Sequence, residues 1–501
     1  MAPTHVLTSE HRQQLELVAQ AAFANPFEDE RYRLDAQLAQ APAEHARPSH
    51  PKREEVYTRL IQSIHALLYD ALDAGKLTFN DFSARDHDLL VYATLFVNFL
   101  SLDEAMVEHT LKQLETPERI LPVPFAKQAL AKLTKAGFDK EQSTRFFGLF
   151  YQISRAYYFI STWLPGSSDS MRTLRARLWQ NVFTSDLQLY EFHLWNRLED
   201  FSTFILGETG TGKGTAARAL GLSGWIPFHE TGLHFAENLC SLFIPVNLSQ
   251  FSEALIESEL FGHEQGAFTG AVKHHKGVFS RCHRHGTIFL DEIGDVNIPI
   301  QIKLLNVLQE RAFTPVGSHH EERFYGRVIA ATNQSIQDKR EQGLFRDDFF
   351  YRLCSDIIVM PPLRQRIQES PEELNLLLEH IVTRIAGEPM PILVDRVLDV
   401  IQERHGFDYP WHGNVRELEQ CVRRVMITGD YRPLSLHAYD SQSSQMTRSM
   451  EQGDYTATEL LSHYCTLLYE QLGSYESVGE KLEMDRRTVK KYIKAHKDTE
   501  K

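Results

Sequence analysis

Residues 204–215 read FILGETGTGKGT, a β-type run followed by a glycine-rich loop, a lysine and the helix-forming stretch AARAL. Gly207, Gly210 and Gly212 allow backbone N–H groups to wrap phosphate oxygens, and Lys213 brings a point charge to the β- and γ-phosphates. Glu208, Thr209, Thr211, Gly214 and Thr215 complete the loop. A chance lysine after a glycine-rich turn gives a similar string, so a second motif must decide. IFLDE at 288–292 supplies it: an apolar strand ends in two carboxylates, of which Asp291 can hold Mg²⁺ through water and Glu292 can polarise an attacking water. Two acids at a strand end can simply face solvent, but both motifs in this order on one α/β stretch point to ATP hydrolysis. Between them stands GHEQGAFTGA, residues 262–271. Gly266 and Gly270 supply permissive backbone, Phe268 a large apolar contact and Thr269 a hydroxyl beside it, with Ala267 and Ala271 completing the run. An exposed Phe on a mobile loop marks a partner; the alternative is a β-hairpin that packs its Phe inward.

The elements that position these residues follow from periodicity. To about residue 163 the pattern is helical: Val56, Leu60, Ile61, Ile64, Leu67, Leu68 and Leu72 share one face, with Gly75 placed to stop the helix. APAEHARPSHPKREE is expected to join a short N-terminal helical piece to this all-α bundle. Over 164–362 short β-branched runs alternate with glycine loops and helices, as in a parallel α/β sheet, and 363–430 turns helical again as a lid. Residues 431–455, including the patternless DSQSSQMTRSMEQGD, are read as a linker, and 456–501 as a compact helical unit. No internal repeat is visible.

Bulk composition sets outer bounds. The chain has 501 residues, 42% hydrophobic and 24% charged, which is ordinary globular material with room for several cores. The five cysteines, Cys240, Cys282, Cys354, Cys421 and Cys465, form no CxxC pair, and MAPTHVLTSE has no secretory leader, so reduced thiols in a cytoplasm are expected. LLVYATLFVNFL at 89–100 falls short of the roughly 20 residues that span a bilayer, so a buried helix and no membrane partner are expected. A net charge of −14 argues against general coating of nucleic acid, though not against a basic module at one end.

With GETGTGKG, ESELFGHEQGAFTGA, GTIFLDEIGD, AATNQ, FRDDFFYRL, PPLRQR and WHGNVRELEQ in this order, the chain resembles the AAA+ activators of sigma-54 RNA polymerase, the bacterial enhancer-binding proteins. The resemblance covers roughly 164–430 and, more loosely, 456–497. It implies ATP and Mg²⁺ as cofactors, a hexameric ring, and sigma-54 and RNA polymerase as partners, contacted by the loop 266–271. It further implies that Asn247 pairs with Glu292 and holds it inactive, that Asn333 orients the water, and that Arg416 in the lid senses the γ-phosphate. Arg346 and Arg352 match arginine fingers that act on a neighbour's ATP. Each arginine alone is more commonly a surface ion pair; the ordered set carries the reading.

Two departures stand out. Gly214 occupies the position where phosphate loops carry Ser or Thr and this family commonly Glu, so a hydroxyl on Mg²⁺ is missing unless Thr215 replaces it. TSDLQLYEFHLWNRLEDF intervenes before the phosphate strand as an insertion, 184–201, of no evident role. His274, His275, His283 and His285 sit among Lys273, Lys276, Arg281 and Arg284, which favours a solvated basic face over a metal site.

SYESVGEKLEMDRRTVKKYIKAH resembles the Fis-like helix-turn-helix of the same family. Asp485 can cap its second helix, Val478, Leu482, Met484, Val489 and Ile493 are expected to bury together, and Arg486, Arg487, Lys490, Lys491 and Lys494 to face upstream enhancer DNA. Residues 481–497 hold seven Lys/Arg against two acids. Residues 1–163 show no phosphoacceptor pattern; their aromatics, as in FFGLFYQISRAYYFISTW, could line an apolar ligand pocket but more often fill a core. A separate regulatory bundle answering an inducer or a regulatory protein is expected, so that a chain starting near Leu164 still hydrolyses ATP without responding. Two rival readings are a AAA+ remodeller of another target, disfavoured by GAFTGA and the basic tail, and a repressor with a decayed ATPase, supported only by Gly214.

Overall fold

The computed structural model describes residues 5–48, 50–197, 200–404, 406, 408–431 and 456–499. Apart from Tyr431, the linker expected over 431–455 lies outside the described residues. Two units separate, 1–423 and 424–501, each described by itself.

Six helices open the first unit: α1 (Ser9–Phe23), α2 (Asp29–Leu38), α3 (Arg53–Ala71), α4 (Ala84–Glu115), α5 (Ala126–Ala136) and α6 (Lys140–Trp163). Thr8 caps α1 by accepting from the His11 N–H, and Asp139 with Gln142 forms a capping box on α6. On α3, Val56, Leu60, Ile64 and Leu68 are buried as the periodicity requires. That helix stops at Ala71, before Gly75, because Asp73 and Ala74 already turn to positive φ (47° and 55°). The 32-residue α4 is long and apolar enough to cross a membrane by composition; here it packs on α1, α3 and α6 and buries Leu90, Ala93, Val97 and Met106.

Helix α6 is buried nearly all round, from Phe146 to Ile160, and a helix apolar on every side lies between two layers. Beyond it come α7 (Asp169–Phe183), a single turn α8 (Leu187–Leu189) and a π-helical turn Tyr190–Leu194. The strands β1 (Thr203–Leu206), β4 (Phe243–Asn247), β5 (Thr287–Asp291), β8 (Arg327–Thr332) and β9 (Asp356–Val359) form a parallel sheet in the order β4-β5-β8-β1-β9. Two small antiparallel pairs, β2 (Phe228–His229) with β3 (His234–Phe235) and β6 (Ala312–Phe313) with β7 (Glu322–Arg323), stand outside it. The helices of this layer are α9 (Lys213–Gly221), α10 (Glu253–Phe261), α11 (Val278–Arg281), α12 (Ile298–Glu310), α13 (Ile336–Glu341) and α14 (Asp347–Leu353). The lid follows as α15 (Leu363–Glu369), α16 (Glu372–Ala386), α17 (Pro391–Arg404) and α18 (Asn414–Thr428).

Alternation along the strands sends neighbouring side chains to opposite faces. Phe204, Ile288, Leu290, Val328 and Ala330 join one core with α10, α12 and α14. Ile205, Phe289, Ile329, Ala331 and Ile358 join the other, and this second core runs without a break through Ala216 and Leu220 of α9 into Phe147, Phe150 and Ile160 of α6 and on to α1, α3 and α4. The expected separate bundle is therefore corrected: residues 1–163 cover one face of the ATPase layer and share its core. Periodicity gives α6 an apolar surface but does not say what covers it.

The insertion belongs to the same joint. Tyr190 is fully buried and its hydroxyl donates to Gln152 Oε1 at 2.9 Å, while Trp195 meets Trp225 edge-on at 4.8 Å.

The second unit holds α19 (Ala457–Leu472), α20 (Tyr475–Leu482) and α21 (Arg486–Thr499). Cys465, Leu468, Val478, Val489 and Ile493 form its core, with Leu482 and Met484 packed against it. The turn is tight: Glu483 is left-handed (φ 53°), Met484 N–H donates to Gly479 O at 2.9 Å, and a Cβ on Gly479 would lie 2.7 Å from Met484 O.

Candidate functional site

Strand β1 delivers the phosphate loop and α9 receives it, so the loop's N–H groups gather at a helix N-terminus. Gly210 has φ 80°, and a Cβ there would meet Gly413 O at 2.1 Å: glycine is required both for the backbone turn and for the lid's approach. Lys213 Nζ donates to Gly207 O (2.8 Å) and Glu208 O (3.2 Å), which holds the ammonium over the loop. A cleft of about 1030 Å³ is lined by Thr209 to Thr215, Asn247, Asp291, Glu292 and Arg416. Thr162 and Trp163, the last turn of α6, also line it, with the Arg218 guanidinium 4.9 Å from the Trp163 ring.

The electrostatics suit a polyanion beside a base. Burial pushes the Asp291 carboxyl up, opposed by Lys213; burial likewise raises Glu292, opposed by the Asn333 N–H and aided by Asp291. Lys213 is lowered by burial, with both carboxylates pulling the other way. The donor set of half-buried Asp291 facing the lysine at the strand end fits a hydrated Mg²⁺.

The positions expected around Glu292 divide. Asn333 N–H lies 3.4 Å from Glu292 Oε2, and its side chain donates to Thr209 Oγ1 at 2.8 Å, so it stands between base and phosphate loop. Asn247 does not reach Glu292: its Oδ1 accepts from Ser249 N–H (3.1 Å) and Ser249 Oγ (2.7 Å), and it pairs in register with Asp291 across β4 and β5. The expected Asn247–Glu292 pair is not formed in this structure: no hydrogen bond joins Asn247 Nδ2 to the Glu292 carboxylate, whose Oε2 takes the Asn333 N–H. Arg346 and Arg352 lie outside the lining of this chain's own cleft. Arg346 pairs with Asp348 at 2.6 Å, and Arg352 donates from two nitrogens to Leu308 O at 3.0 and 2.7 Å. Gly214 has ordinary φ, and an added Cβ would find only Phe289 Cε1 at 3.9 Å; neither backbone nor packing demands glycine there. The neighbouring Thr215 is exposed.

The strings PPLRQR and WHGNVREL serve a joint purpose that neither reveals alone. Asn414 is fully buried, accepts from Leu363 N–H (2.8 Å) and donates to Thr209 O (3.0 Å) and Glu208 Oε2 (3.1 Å). Arg364 grips Glu208 with both guanidinium nitrogens and, with Asn414, holds its carboxyl down to about 2. Arg366 and Glu373 form a buried pair at 2.6 Å that also binds Pro165 O and the Ser167 and Ser168 N–H groups. The lid is thereby tied to the phosphate loop and to the start of α7.

The loop 266–271 projects from the segment after α10. His263 bridges both His275 and Val316, Gly266 N–H closes onto Ala271 O at 2.8 Å, and Gly266 and Gly270 take φ 84° and 106°. A Cβ on either glycine would meet nothing within 4 Å, so the constraint there is purely backbone. Ala271 is buried, Thr269 is exposed, and Phe268 remains 39% exposed with its ring 4.9 Å from His263. Nearby, His275 faces Glu259 at 3.5 Å and His283 faces Glu237 at 3.3 Å; among the described residues no three potential ligands gather for a metal. On α21, Arg486, Arg487, Lys490, Lys491 and Lys494 are all exposed.

A parallel sheet that carries a phosphate loop and an acidic strand end beneath a helical lid defines an AAA+ ATPase domain. Residues 191–358 match the sigma-54 interaction domain, and residues 368–455 the AAA+ ATPase lid domain. The chain is 38% identical over 250 residues to the DNA-binding transcriptional regulator NtrC of Azospirillum brasilense, covering 50% of this chain and 47% of that one. It is 40% identical over 236 residues to the Nif-specific regulatory protein of Azotobacter vinelandii, covering 47% and 41%. The regulatory protein AtoC of Escherichia coli shares 38% over 231 residues, 46% of each chain. The chain thus spans less than half the length of these relatives, and the bundle of residues 1–163 lies outside both domain matches.

Proposed function

We propose that the protein is an ATP-driven activator that binds upstream enhancer DNA, assembles into a hexameric ring in the bacterial cytoplasm and remodels the sigma-54 RNA polymerase closed complex. One observation carries this reading: Lys213, Asp291, Glu292 and Arg416 line a single cleft on a domain that also presents an exposed Phe268-Thr269 tip between left-handed glycines. In this reading the phosphate-loop N–H groups and Lys213 bind the β- and γ-phosphates, and Arg416 of the lid senses the γ-phosphate. Asp291 would hold Mg²⁺, which neutralises phosphate charge when bound. Glu292, steadied by the Asn333 N–H, takes a proton from the attacking water. Arg346 and Arg352, which do not line their own cleft, reach a neighbour's ATP, where such fingers contribute about 10³–10⁵ in rate. Residues 266–271 contact sigma-54 as the cycle proceeds, and the exposed basic face of α21 enters DNA.

Purified protein tests the reading. Hydrolysis that rises with protein concentration, disappears in Glu292→Gln with ATP still bound, and disappears with binding in Lys213→Ala supports it. Thr269→Ala is expected to hydrolyse ATP yet fail to retain sigma-54 in the presence of a transition-state nucleotide. Full transcriptional activity in Glu292→Gln refutes it.

A further inference from the structure

A cavity of about 130 Å³ lies inside the bundle, between the end of α1, α3, α4, α6, Trp179 of α7 and Leu187 of α8. Its walls are aromatic, with Phe23, Tyr92, Phe96, Phe99, Phe150 and Tyr157 among them. An apolar cavity of roughly 150 Å³ holds benzene, so the space is on the scale of a single small ring.

Charged groups reach into this apolar space, and their bonding is incomplete. Arg31 is matched by Asp35 (2.8 and 2.9 Å), and Glu191 forms an ion pair with Arg145 at 2.7 Å, although its Oε1 lacks a well-aligned hydrogen bond. Arg53 is engaged by the Tyr57 and Tyr157 hydroxyls, but its Nε has no partner. Asp103 Oδ1 is buried without a well-formed hydrogen bond, with the equally unsatisfied Ser154 hydroxyl close enough to favour its carboxylate. A buried donor and a buried acceptor left in this state are costly in a purely structural core, and each one calls for a ligand group. Arg53 and Asp103 remain, two groups of opposite formal charge with burial raising the Asp103 carboxyl against the pull of Arg53, so the wall offers a charged ligand no unmatched counter-ion.

Helix α6 forms one wall of this cavity through Phe146, Leu149, Phe150, Ile153 and Tyr157. Its other side is fastened to the end of the phosphate-loop helix: Arg155 donates to Leu222 O (2.6 Å) and Gly224 O (2.7 Å), and Gln152 to Ser223 O (3.0 Å). Gly148 lets Trp225 approach so closely that a Cβ would lie 2.7 Å from its ring, and Trp163 ends the helix in the nucleotide cleft.

We propose that this cavity is an effector site for a small, net-neutral, single-ring molecule with an amide or hydroxyl group, and that its occupancy changes nucleotide affinity through α6. The acceptor oxygen of such a group takes the Arg53 Nε–H and its donor serves Asp103 Oδ1, while the ring lies among the aromatic walls. Binding linkage is reciprocal, so nucleotide must change the effector's affinity by the same factor.

The test uses the full chain and four probes: benzamide, benzyl alcohol, benzoate and benzylamine. Thermal unfolding is read first without nucleotide, so failure here is distinct from failure of the ATPase reading. Benzamide and benzyl alcohol are expected to raise Tm by a few degrees at saturation, benzoate and benzylamine not. Saturating benzamide is expected to change the affinity for a fluorescent ATP analogue about 5-fold or more. Asp103→Asn should weaken benzamide about 10-fold or more, and Leu95→Trp, which fills the cavity, should abolish its effect while the protein stays folded. Equal shifts by all four probes, no shift by any, unchanged binding in both variants, or an unchanged nucleotide affinity with benzamide bound would each overturn the proposal.

Discussion

Arg155 is the sharpest single handle on the joint between bundle and ATPase. It is fully buried on α6, 4.5 Å from the centre of the Tyr151 ring, and gives two hydrogen bonds to carbonyls that close the phosphate-loop helix. Bonds from a charged donor contribute about 1.5–3 kcal/mol each, or roughly 3–6 together. Against that stands desolvation, which lowers the guanidinium from 12.5 to about 10, a cost of roughly 3 kcal/mol for keeping it protonated. Removing the side chain relieves that cost but leaves two carbonyls unmet and a void where the aliphatic stem packed, a further cost of about 1–2 kcal/mol. Arg155→Ala should therefore destabilise the 1–423 unit by about 3 kcal/mol net. Arg155→Lys keeps the charge but cannot span both carbonyls, and should fall between. Urea unfolding followed by tryptophan fluorescence measures the loss, and titration with a fluorescent ATP analogue should show weaker binding in the alanine variant. A loss under about 1 kcal/mol with nucleotide affinity intact would refute the claim that α6 braces α9 through this residue.

Three further outcomes are expected. His109, buried among Phe125, Tyr151 and Phe235, is depressed by burial from 6.5 to about 4, so between these values only the unfolded chain binds the proton. Stability should fall as pH drops from about 6.5 to 4, by roughly 3 kcal/mol in full, and His109→Gln should flatten that stretch of a denaturation-versus-pH profile. Asn414→Ala removes two bonds between lid and phosphate loop and a third within the lid, and should weaken ATP binding at least 10-fold with little change in secondary structure by circular dichroism. Arg486→Ala with Lys490→Ala should weaken enhancer binding and reduce its salt slope by roughly 0.9 per lost phosphate contact, leaving hydrolysis by concentrated protein in place; identical footprints across salt concentrations would remove α21 as the reader.

The parallel sheet and the cleft are legible in the sequence because local patterns specify them: β-branched runs, glycines at forced backbone positions, and carboxylates at a strand end. The apolar set of the second unit is legible for the same reason, since its helices are short and its turn is fixed by Gly479. What escapes depends on residues that meet from far apart in the chain. Glu373 meets Ser167 across 206 positions, and Gln152 meets Ser223 across 71; no periodicity encodes such pairs. Asn247 departs from expectation for a different reason. Its side-chain oxygen closes a local turn with Ser249 two residues on, which orients the amide in a way that the string FIPVNLS does not announce.

The shared core changes how control by the bundle has to work. Had residues 1–163 been a separate unit, they could restrain the ATPase by docking and release, and a chain starting near Leu164 would behave as an unregulated enzyme. Instead Ala216, Ala217 and Leu220 of the phosphate-loop helix are buried in the cluster that contains Phe147 and Ile160 of α6. Cutting at Leu164 would place this surface in water together with the carbonyls that Gln152 and Arg155 satisfy, so the truncated chain loses part of its fold and not merely its regulator. Packed cores move between discrete arrangements by small shifts of whole elements. A displacement of α6 along its own axis would be felt both at the aromatic cavity, which its middle turns line, and at Trp163 in the phosphate-loop cleft, without breaking the core that unites them.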